Sequence, residues 1–460
     1  MNIVRLTEFA AWLPLGVAAC GGFFADLLDA LGLVEIDVAS PLASVGLPGL
    51  HLKGAARADR RPAIRVLHYM GTNFGMTGVE TFILQLTRAQ MRRGLAPAIA
   101  MELSDRQDVL KIASERGIAV YDLPGRQAFL SILPQKVATA LLRTRRIRFL
   151  YNLLKENDVL HVQAVGLSCL DGFLAAALAG KPVIVTHHGT LSWFAAQRDR
   201  LADVTFWIEK KIASTIVMPY KAALAELNSE GVSAARSSVI PFCVDEQLFA
   251  SASMPSTEDN FRLALVARMV SGKGHIELLN ALSKLAPRHP KLRAMFIGDG
   301  PTRGQIEDKI DRLGLREIVE CKGKVDHRAV PALVRSAQVI VLPTYEPGEM
   351  YPLCLLEGMA LGLPAIGTRW SGIPDIIDDG VSGIIVEPRD EGGLEKAIEH
   401  FITDTGFLTR ASKAASARVR SRFTASIVAD SYTDLYREAM SSRVRVTSHH
   451  IRIRPPRKLS

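Results

Sequence analysis

Short apolar runs that alternate with helical stretches constrain the fold of this chain more than any other feature. From Ile64 onward, "IRVLHYM", "DVLHVQA" and "KPVIVTHHGT" are separated by segments with helical spacing such as "VETFILQLTRAQMRRG". Near-continuous apolar strands separated by helices are typical of a parallel sheet that helices cover on both faces. This half of the chain is therefore predicted to form a doubly wound α/β domain.

A second alternation of the same kind follows a break in the pattern. Residues 250–260, "ASASMPSTEDN", are small and polar, as expected for a linker. Strand-like runs then resume with "RLALVARMV", "LRAMFIGDG" and "QVIVLP". We therefore predict two α/β domains, 61–249 and 261–425, whose strands end at a shared cleft. A helix over 426–442 is expected to return to the first domain, and a basic tail follows over 443–460.

The first 60 residues precede this alternation and are interpreted as an N-terminal extension. Their uncharged stretch, Phe9 to Ala25, has 17 residues and contains Pro14. A membrane-spanning helix needs about 20 apolar residues. A targeting signal is the alternative, although an acid, Glu8, follows the single basic Arg5 in the segment before the apolar stretch.

The charge balance points to an anionic partner. The 460-residue chain carries a formal net charge of +9, which is compatible with nucleic acid, phosphate-bearing small molecules or an acidic membrane surface. No nucleic-acid-binding fold signature is present, so we do not predict a nucleic-acid partner. The five cysteines are scattered without zinc-site or disulfide spacing, which suits a reducing cytoplasm.

Two glutamates, Glu349 and Glu357, flank the predicted start of a helix. The strand "QVIVLP" is followed by the loop "TYEPGE", by Pro352 at the expected helix start, and by "LCLLEGMALG". The free N–H groups of a helix N-terminus form an anion site. Because a carboxylate beside a phosphate is unfavourable, both glutamates are predicted to accept hydrogen bonds from neutral hydroxyls of a sugar or ribose.

Two cations can complete such a site. Arg268 ends a strand-like run and Lys273 lies five positions later in the following loop. A planar donor fork and a point charge together suit a diphosphate. Solvated surface positions are the alternative for each cation alone. Combined with the helix start and the two acids, they predict a nucleoside-diphosphate-sugar site.

The second half of the chain resembles the retaining GT-B glycosyltransferases of family four, also called glycosyl transferases group 1. In that family two glutamates separated by seven residues follow a strand, as Glu349 and Glu357 do. The family's "GR…KG" loop is matched by Arg268 and Lys273, with Ala267 replacing the first glycine. Its "GxGP" turn is matched by "GDGP". The resemblance implies two Rossmann-like domains facing a central cleft.

The resemblance also implies roles for individual residues. Arg268 and Lys273 would hold the donor diphosphate. Glu349 would contact the transferred sugar near the reacting carbon, and Glu357 would bind the ribose hydroxyls. The other positions implied to contact the donor are Gly78, Met350, Tyr351, Pro352 and Leu353, with Lys324 and Val325 near the base.

The first domain adds a candidate histidine. "GMTGVETFILQL" is similar to the family's glycine-rich loop and helix, although Thr77 precedes Gly78 where the family has a second glycine. Alignment on Gly189 places His188 at the family's cleft histidine, which contacts the donor sugar, and a packing role is the alternative. Phe242 and Cys243 replace an Asn and a Gly of the family, and Met350 replaces a Gly found in many members.

The implied reaction is transfer with retention at the anomeric carbon, without a metal or any cofactor beyond the donor. The departing phosphate is expected to take the acceptor proton, and the sequence has no Asp-x-Asp motif. A sugar-nucleotide epimerase or a non-catalytic relative on the same fold is the alternative. An NAD-dependent oxidoreductase is not favoured, because the first strand lacks a G-x-G-x-x-G motif after it.

One basic segment predicts peripheral binding to the cytoplasmic membrane face. Residues 123–155 contain no acid and interleave arginine and lysine with apolar side chains, and the C-terminal tail is also basic. Such segments bind anionic lipid, although a solvated helix that covers the domain is the alternative. A lipid-linked or polysaccharide acceptor in bacterial surface polysaccharide synthesis would fit. The donor sugar, its base, the acceptor and the oligomeric state are left open.

Overall fold

A computed structural model describes the two predicted α/β regions. The described residues are 63–71, 78–103, 106–125, 134–163, 167–189, 200–250 and 260–446. The predicted N-terminal extension, most of the linker and most of the basic tail lie outside these residues, as does Thr77 of the glycine-rich loop.

The first region is a parallel sheet, with seven strands in the part of the chain that is described. Its order is β3-β2-β1-β4-β5-β6-β7. The strands are β1 (Arg65–Tyr69), β2 (Ala96–Met101), β3 (Ala119–Asp122), β4 (Val159–Val162), β5 (Val183–Thr186), β6 (Thr215–Met218) and β7 (Ser237–Val239). The helices are α1 (Gly78–Arg92), α2 (Gln107–Glu115), α3 (Gln135–Lys155), α4 (Leu170–Leu178), α5 (Arg200–Ile212) and α6 (Lys221–Ser229).

The second region repeats the arrangement with six parallel strands among the described residues. Its order is β10-β9-β8-β11-β12-β13. The strands are β8 (Phe261–Val266), β9 (Leu292–Ile297), β10 (Val319–Gly323), β11 (Val339–Leu342), β12 (Ala365–Thr368) and β13 (Gly383–Val386). The helices are α7 (His275–Leu285), α8 (Arg303–Arg312), α9 (Val330–Val334), α10 (Leu353–Ala360), α11 (Ile373–Ile376), α12 (Glu391–Thr403) and α13 (Thr405–Arg422).

The prediction of two Rossmann-like sheets is confirmed. The inner strands β4, β5 and β11 are buried along their whole length, as expected for strands covered by helices on both faces. In each sheet the strand order reverses once, between β1 and β4 and between β8 and β11. Ligands of open α/β sheets bind outside the carboxyl ends of the strands at such reversals.

A final helix, α14 (Ala425–Val446), follows α13 and packs against α1 of the first region. The crossing point is a parallel bridge between Val244 and Thr424. Arg93, the residue after α1, forms an ion pair of 2.6 Å with Asp430 of α14. Tyr432 and Tyr436 of this helix are fully buried, so the last helix completes the core of the first region.

Most of the basic segment predicted to meet a membrane forms helix α3. Its apolar residues Ile147, Leu150 and Leu154 are buried in the domain core. Arg146 is also buried and donates a hydrogen bond of 2.8 Å to the carbonyl oxygen of Pro124. Five of its exposed positions recur at helical spacing and so share one face: Leu141, Arg145, Arg148, Asn152 and Lys155. Within the described part of the chain, no helix is both long and apolar enough to cross a bilayer.

Candidate functional site

The Lys273 loop folds tightly because glycines flank the lysine. Gly272 and Gly274 have φ values of +89° and +84°, which L side chains rarely adopt. A Cβ atom at Gly274 would lie 2.3 Å from the carbonyl oxygen of Pro343, and one at Gly272 would lie 2.9 Å from the Cα atom of Glu346. The two glycines therefore let the loop after β8 pack directly on the loop after β11.

This packing places Lys273 among carboxylates. Its Nζ atom lies 2.7 Å from Oε2 of Glu349 and 3.4 Å from Oε2 of Glu346. Burial alone would lower the pKa of Lys273, but the attraction of Glu349, its hydrogen bond and the charge of Glu346 outweigh burial and raise it. Lys273 is therefore a firmly charged cation that can bridge a carboxylate and a bound phosphate, which separates the two like charges.

The loop between Glu349 and helix α10 is fixed by its backbone. The carbonyl oxygen of Met350 accepts hydrogen bonds from the Gly372 N–H group at 3.0 Å and the Ser371 hydroxyl at 3.1 Å. Helix α10 begins at Leu353, so Pro352 occupies the N-cap with extended backbone and not the first helical position. The first turn of α10, whose N–H groups are the donors of a helix N-terminus, still begins only four residues after Glu349.

Glu357 lies on α10 with only 6% of the residue exposed, and a histidine pairs with it. His327 Nε2 lies 2.7 Å from Oε1 of Glu357, and the Phe249 ring packs against His327 with ring centroids 5.5 Å apart. Burial lowers the pKa of His327, but the charge and hydrogen bond of Glu357 outweigh it, so the net pKa is raised. Sequence reasoning missed His327, which no motif marks. Val325 and the exposed Lys324 lie in the same loop after β10.

The first region meets the second through Gly78 and His188. A Cβ atom at Gly78, the first residue of α1, would lie 3.8 Å from Cδ1 of Leu353 at the start of α10. The His188 ring stacks on Phe242 at 4.8 Å between centroids, and Phe242 contacts Tyr351 edge to face at 5.6 Å. Burial, followed by the nearby His187, lowers the pKa of His188 to about 3. His188 is therefore neutral.

The neighbouring histidine has a different environment. His187 is almost fully buried and its Nε2 atom lies 2.6 Å from Oε1 of the equally buried Glu209 on α5. Of the two histidines that follow β5, His187 is thus held in the interior of the domain by its contact with Glu209. His188 is partly exposed and faces the aromatic contact with the second region.

Arg268 is a further predicted site residue and lies in the loop after β8. It is exposed and makes no ion pair with any residue in the described ranges. Its backbone is fixed, because Met269 donates a hydrogen bond of 3.0 Å to the carbonyl oxygen of Asp299 in the "GDGP" turn. A Cβ atom at Gly300 would lie 2.3 Å from the carbonyl oxygen of Met269, so the turn needs glycine there.

The structure thus brings Lys273, Glu349, the start of α10, Gly78 and His188 to the boundary between two doubly wound sheets, with Glu357 about one turn farther along α10. Within the described residues, no group of three or more His, Cys, Asp or Glu side chains is arranged to hold a metal ion. Two Rossmann-like sheets with a lysine–carboxylate cluster at a helix start define the class of GT-B glycosyltransferases.

Comparison with known families agrees with this class. The model for "Glycosyltransferase Family 4" matches residues 76–248 and the model for "Glycosyl transferases group 1" matches residues 248–418. The chain belongs to the GT-B glycosyltransferases of family four.

Individual relatives have low sequence identity to this chain but match most of its length. A subunit of phosphatidylinositol N-acetylglucosaminyltransferase from Arabidopsis thaliana is 24% identical over 347 residues, 74% of this chain and 75% of the relative. Alpha-D-kanosaminyltransferase of Streptomyces kanamyceticus is 23% identical over 60% of this chain and 76% of its own length. Among solved structures, Anabaena HepE in complex with UDP and glucose superposes with a TM-score of 0.68 at 18% identity, covering 82% of this chain and 100% of HepE. This last likeness concerns the fold.

Proposed function

We propose that this chain transfers a sugar from a nucleoside-diphosphate sugar, with retention at the anomeric carbon, to a lipid-linked or polysaccharide precursor of bacterial surface polysaccharide. The observation that carries the proposal is the Lys273–Glu349 ion pair of 2.7 Å beside the start of α10. In this pair, Lys273 supplies a cation for the departing phosphate. Glu349 supplies a carboxylate for the sugar that the phosphate leaves.

The site would have to stabilise the negative charge that develops on the leaving group. As the bond from the anomeric carbon to the phosphate oxygen breaks, negative charge grows on the diphosphate. Lys273, Arg268 and the N–H groups at the start of α10 are proposed to stabilise that charge in a preorganised arrangement. The exposed Arg268 guanidinium is free to turn toward the phosphates.

The acceptor hydroxyl would attack the same face of the sugar from which the phosphate leaves. A new carbon–oxygen bond forms, the bond to phosphate breaks, and the departing phosphate takes the acceptor proton. The neutral His188 is not needed as a base in this scheme. Glu349 would stabilise the positive charge that develops at the anomeric carbon, and Glu357 would accept hydrogen bonds from the ribose.

No metal ion is required in this proposal, because the cations and the helix start neutralise the diphosphate. The test is transfer by enzyme treated with a chelator and assayed without added metal. Full activity is expected, and activity that returns only on adding Mg²⁺ or Mn²⁺ would contradict this part of the proposal.

UDP sugars are the first donors to test. Anabaena HepE was solved with UDP and glucose, and pneumococcal O-GlcNAc transferase GtfA was solved with UDP and GlcNAc. Both share the fold of this chain, with TM-scores of 0.68 and 0.64. UDP-glucose and UDP-N-acetylglucosamine, with GDP-mannose as the alternative base, therefore form the smallest informative panel.

A membrane-associated acceptor is supported by helix α3. Its exposed face carries Arg145, Arg148 and Lys155 and no acid. A basic face of this kind attracts anionic lipid. The name of the Arabidopsis relative includes phosphatidylinositol, a lipid. We propose peripheral binding at the cytoplasmic membrane surface, where the acceptor would be presented.

The experiment for the proposed function has two stages. Nucleotide sugars are first screened for thermal stabilisation, since a ligand that binds only the folded state raises the melting temperature. The stabilising donor is then incubated with lipid-linked and oligosaccharide acceptors, and the product is examined by NMR. A new glycoside with the anomeric configuration of the donor is expected. An inverted glycoside would refute retention, a free altered sugar would indicate an epimerase, and no turnover would indicate a non-catalytic relative.

A further inference from the structure

A row of buried hydrogen bonds runs from His188 through the first region to helix α14. His188 Nε2 lies 2.9 Å from Gln163 Oε1, and Gln163 Nε2 lies 3.0 Å from His68 Nδ1. His68 Nε2 lies 2.9 Å from Gln90 Oε1, whose Nε2 donates to the Tyr436 hydroxyl at 3.0 Å. We call this row, together with its continuation beyond Tyr436 to Tyr432, the buried hydrogen-bond chain.

The buried hydrogen-bond chain continues on the other side of Tyr436. The Tyr436 hydroxyl lies 2.7 Å from His161 Nδ1, and His161 Nε2 lies 2.8 Å from the Thr186 hydroxyl. Thr186 in turn lies 2.9 Å from the hydroxyl of Tyr432. Every one of these links from Gln163 onward joins residues that are at most 1% exposed.

Burial keeps the members of the chain neutral. It lowers the pKa of His68 to about 4 despite the hydrogen bond to Gln90, and it lowers the pKa of His161 well below its ordinary value. Burial also raises the pKa of Tyr436 well above its ordinary value. Each histidine ring therefore carries one N–H proton, and each member between the two ends of the row can donate once and accept once.

The hydrogen bonds of this row all run from donor to acceptor in the same direction. The side-chain amide groups of the two glutamines set that direction. Gln163 turns its carbonyl oxygen toward His188 and its amide nitrogen toward His68. An oxygen acceptor requires a proton on His188 Nε2, and a nitrogen donor requires a bare Nδ1 on His68. Gln90 and Tyr436 continue the same order toward His161.

The consequence for His188 is that its other ring nitrogen carries no proton. His188 Nδ1 has no hydrogen-bond partner in the described part of the chain. A buried acceptor without a partner is uncommon in folded proteins and calls for an explanation.

We infer that the buried hydrogen-bond chain holds His188 in the Nε2–H tautomer, so that its bare Nδ1 accepts a hydrogen bond from a hydroxyl of the transferred sugar. Gln163, His68, Gln90 and Tyr436 are then positioning residues that act through His188. This inference rests on the proposed function, because it specifies how the first region recognises the donor sugar. It also makes helix α14 part of that recognition, since Tyr436 supplies the hydroxyl in the middle of the row.

The tautomer can be measured directly on the full chain. Histidine ring ¹⁵N shifts are recorded at neutral pH, and the His188 signals are assigned by their loss in His188→Gln. An unprotonated Nδ1 and a protonated Nε2 are expected at His188 and at His68. A proton on Nδ1 of His188 would mean that both amides point the other way, and would overturn the inference.

Kinetic measurements distinguish residues that position His188 from residues that only pack in the core. Gln163→Leu and Tyr436→Phe are expected to reduce kcat/KM for UDP-glucose, or for the donor found in the screen, by about tenfold and about threefold. Their affinity for UDP, which lacks the sugar, should remain unchanged in calorimetry. Gln163→Glu can still accept a hydrogen bond from His188 Nε2, so it should retain more activity than Gln163→Leu. Loss of UDP affinity in step with kcat/KM would indicate a structural effect and overturn the inference.

Two matched controls lie outside the segment of the row from His188 to Tyr436. Gln85 of α1 is 2% exposed, and neither atom of its amide group has a partner in the described residues, so Gln85→Leu should leave activity unchanged. Tyr432→Phe removes a hydroxyl from the same helix as Tyr436 but beyond the last histidine, and should leave the His188 tautomer unchanged. The NMR result does not depend on turnover. If the wild-type chain transfers no sugar, the proposed function fails while the tautomer assignment stands or falls separately.

Discussion

In the second region of the molecule the polar groups of the site carry opposite charges within ion-pair distance, whereas in the first region they are neutral and joined in a row of hydrogen bonds. Lys273, Glu346 and Glu349 form a charged cluster with a lysine pKa that is raised. His188, Gln163 and His68 form a neutral row with histidine pKa values that are lowered. The two halves of the cleft therefore have different kinds of polarity.

This difference suggests that the two regions recognise different parts of the donor. A leaving diphosphate needs charge that is present before the reaction, because preorganised charge costs no rearrangement as the bond breaks. A neutral sugar needs directed hydrogen bonds, which only a fixed tautomer and a fixed ring orientation provide. Changes in the charged half should therefore cost more, and should act on different kinetic constants, than changes in the neutral half.

The largest effect is expected for Lys273→Ala. The change removes a cation from the leaving group and leaves Glu346 and Glu349 without their partner. We expect a loss of about 2–4 kcal/mol of transition-state stabilisation, which is roughly 30- to 1000-fold in kcat/KM. Arg268→Ala should also reduce transfer, but by less, because the exposed Arg268 neutralises no carboxylate in the described structure.

The control for this prediction is Lys284→Ala, since Lys284 is an exposed lysine of the same region that lies 3.9 Å from Glu391. It should have normal kcat/KM, and all three variants should keep the wild-type circular dichroism spectrum. Near-normal kcat/KM in both Lys273→Ala and Arg268→Ala would show that the charged half does not hold the diphosphate.

The next effect separates the two glutamates within the charged half. Glu349→Gln should mainly lower kcat, because the charge that it stabilises exists only as the bond to phosphate breaks. Glu357→Gln should mainly raise the donor KM, since a hydrogen bond to a charged group contributes about 1.5–3 kcal/mol, or roughly ten- to a hundredfold in affinity. The measurement is steady-state kinetics together with UDP calorimetry.

UDP carries the ribose but no sugar, so it should bind Glu357→Gln poorly. It should bind Glu349→Gln at least as well as wild type, because the substitution frees Lys273 from a competing carboxylate. The opposite pattern would mean that the two roles are exchanged. Equal losses in both variants would mean that the spacing does not divide sugar from ribose.

A smaller effect concerns the His327–Glu357 pair, whose folded-state pKa for His327 is raised. A histidine with a raised folded pKa adds stability that is fully present below its ordinary pKa and is lost as the pH rises through the folded value. His327→Gln should therefore lower the free energy of unfolding more at about pH 6 than at about pH 9, by a difference of order 1 kcal/mol. The melting temperature should fall more at the lower pH accordingly. The groups near His327 include Glu357, Arg116 and Asp326.

Thermal unfolding of the double variant supplies the control. In the Glu357→Gln background the His327 substitution should show much less pH dependence, because the main cause of the shift is gone. A pH dependence that persists unchanged in that background would assign the effect to Asp326 or to another group.

The smallest effect is expected outside the cleft, where the first region does carry cations. Arg148→Gln on the exposed face of α3 should weaken binding to anionic vesicles by at most about 1 kcal/mol, and salt should weaken wild-type binding. Flotation with phosphatidylcholine vesicles, with and without phosphatidylglycerol, measures this. Lys284→Gln on the second region is the control and should bind as wild type. Equal binding to both vesicle types would contradict the membrane proposal.

The sequence predicted the fold class because its main signal is local. Buried parallel strands are apolar along their length, and β4, β5 and β11 were each visible as short apolar runs. Helix α13 was missed, although Asp404 caps it by accepting a hydrogen bond of 2.7 Å from the Phe407 N–H group. The strand order within each sheet was beyond sequence reasoning, because it depends on pairings between distant segments.

The candidate site was predictable only in part. Lys273, Glu349 and Glu357 lie in a recognisable motif, and the structure brings Lys273 and Glu349 into contact. His327 and the buried hydrogen-bond chain were not predictable, because single polar residues on separate strands and helices carry no shared spacing. The hydrogen bond between His161 and Tyr436 joins residues 275 positions apart.

The return of helix α14 to the first region also has a consequence during synthesis on the ribosome. Strand β7 ends at Val239, but Tyr432 and Tyr436 are added about 190 residues later. At about 5–20 residues per second, translation takes roughly 10–40 s to cover that distance. For that time the side chains of Gln90, His161 and Thr186 lack the tyrosine hydroxyls that they contact in the folded protein. The core of the domain that emerges first is therefore completed last.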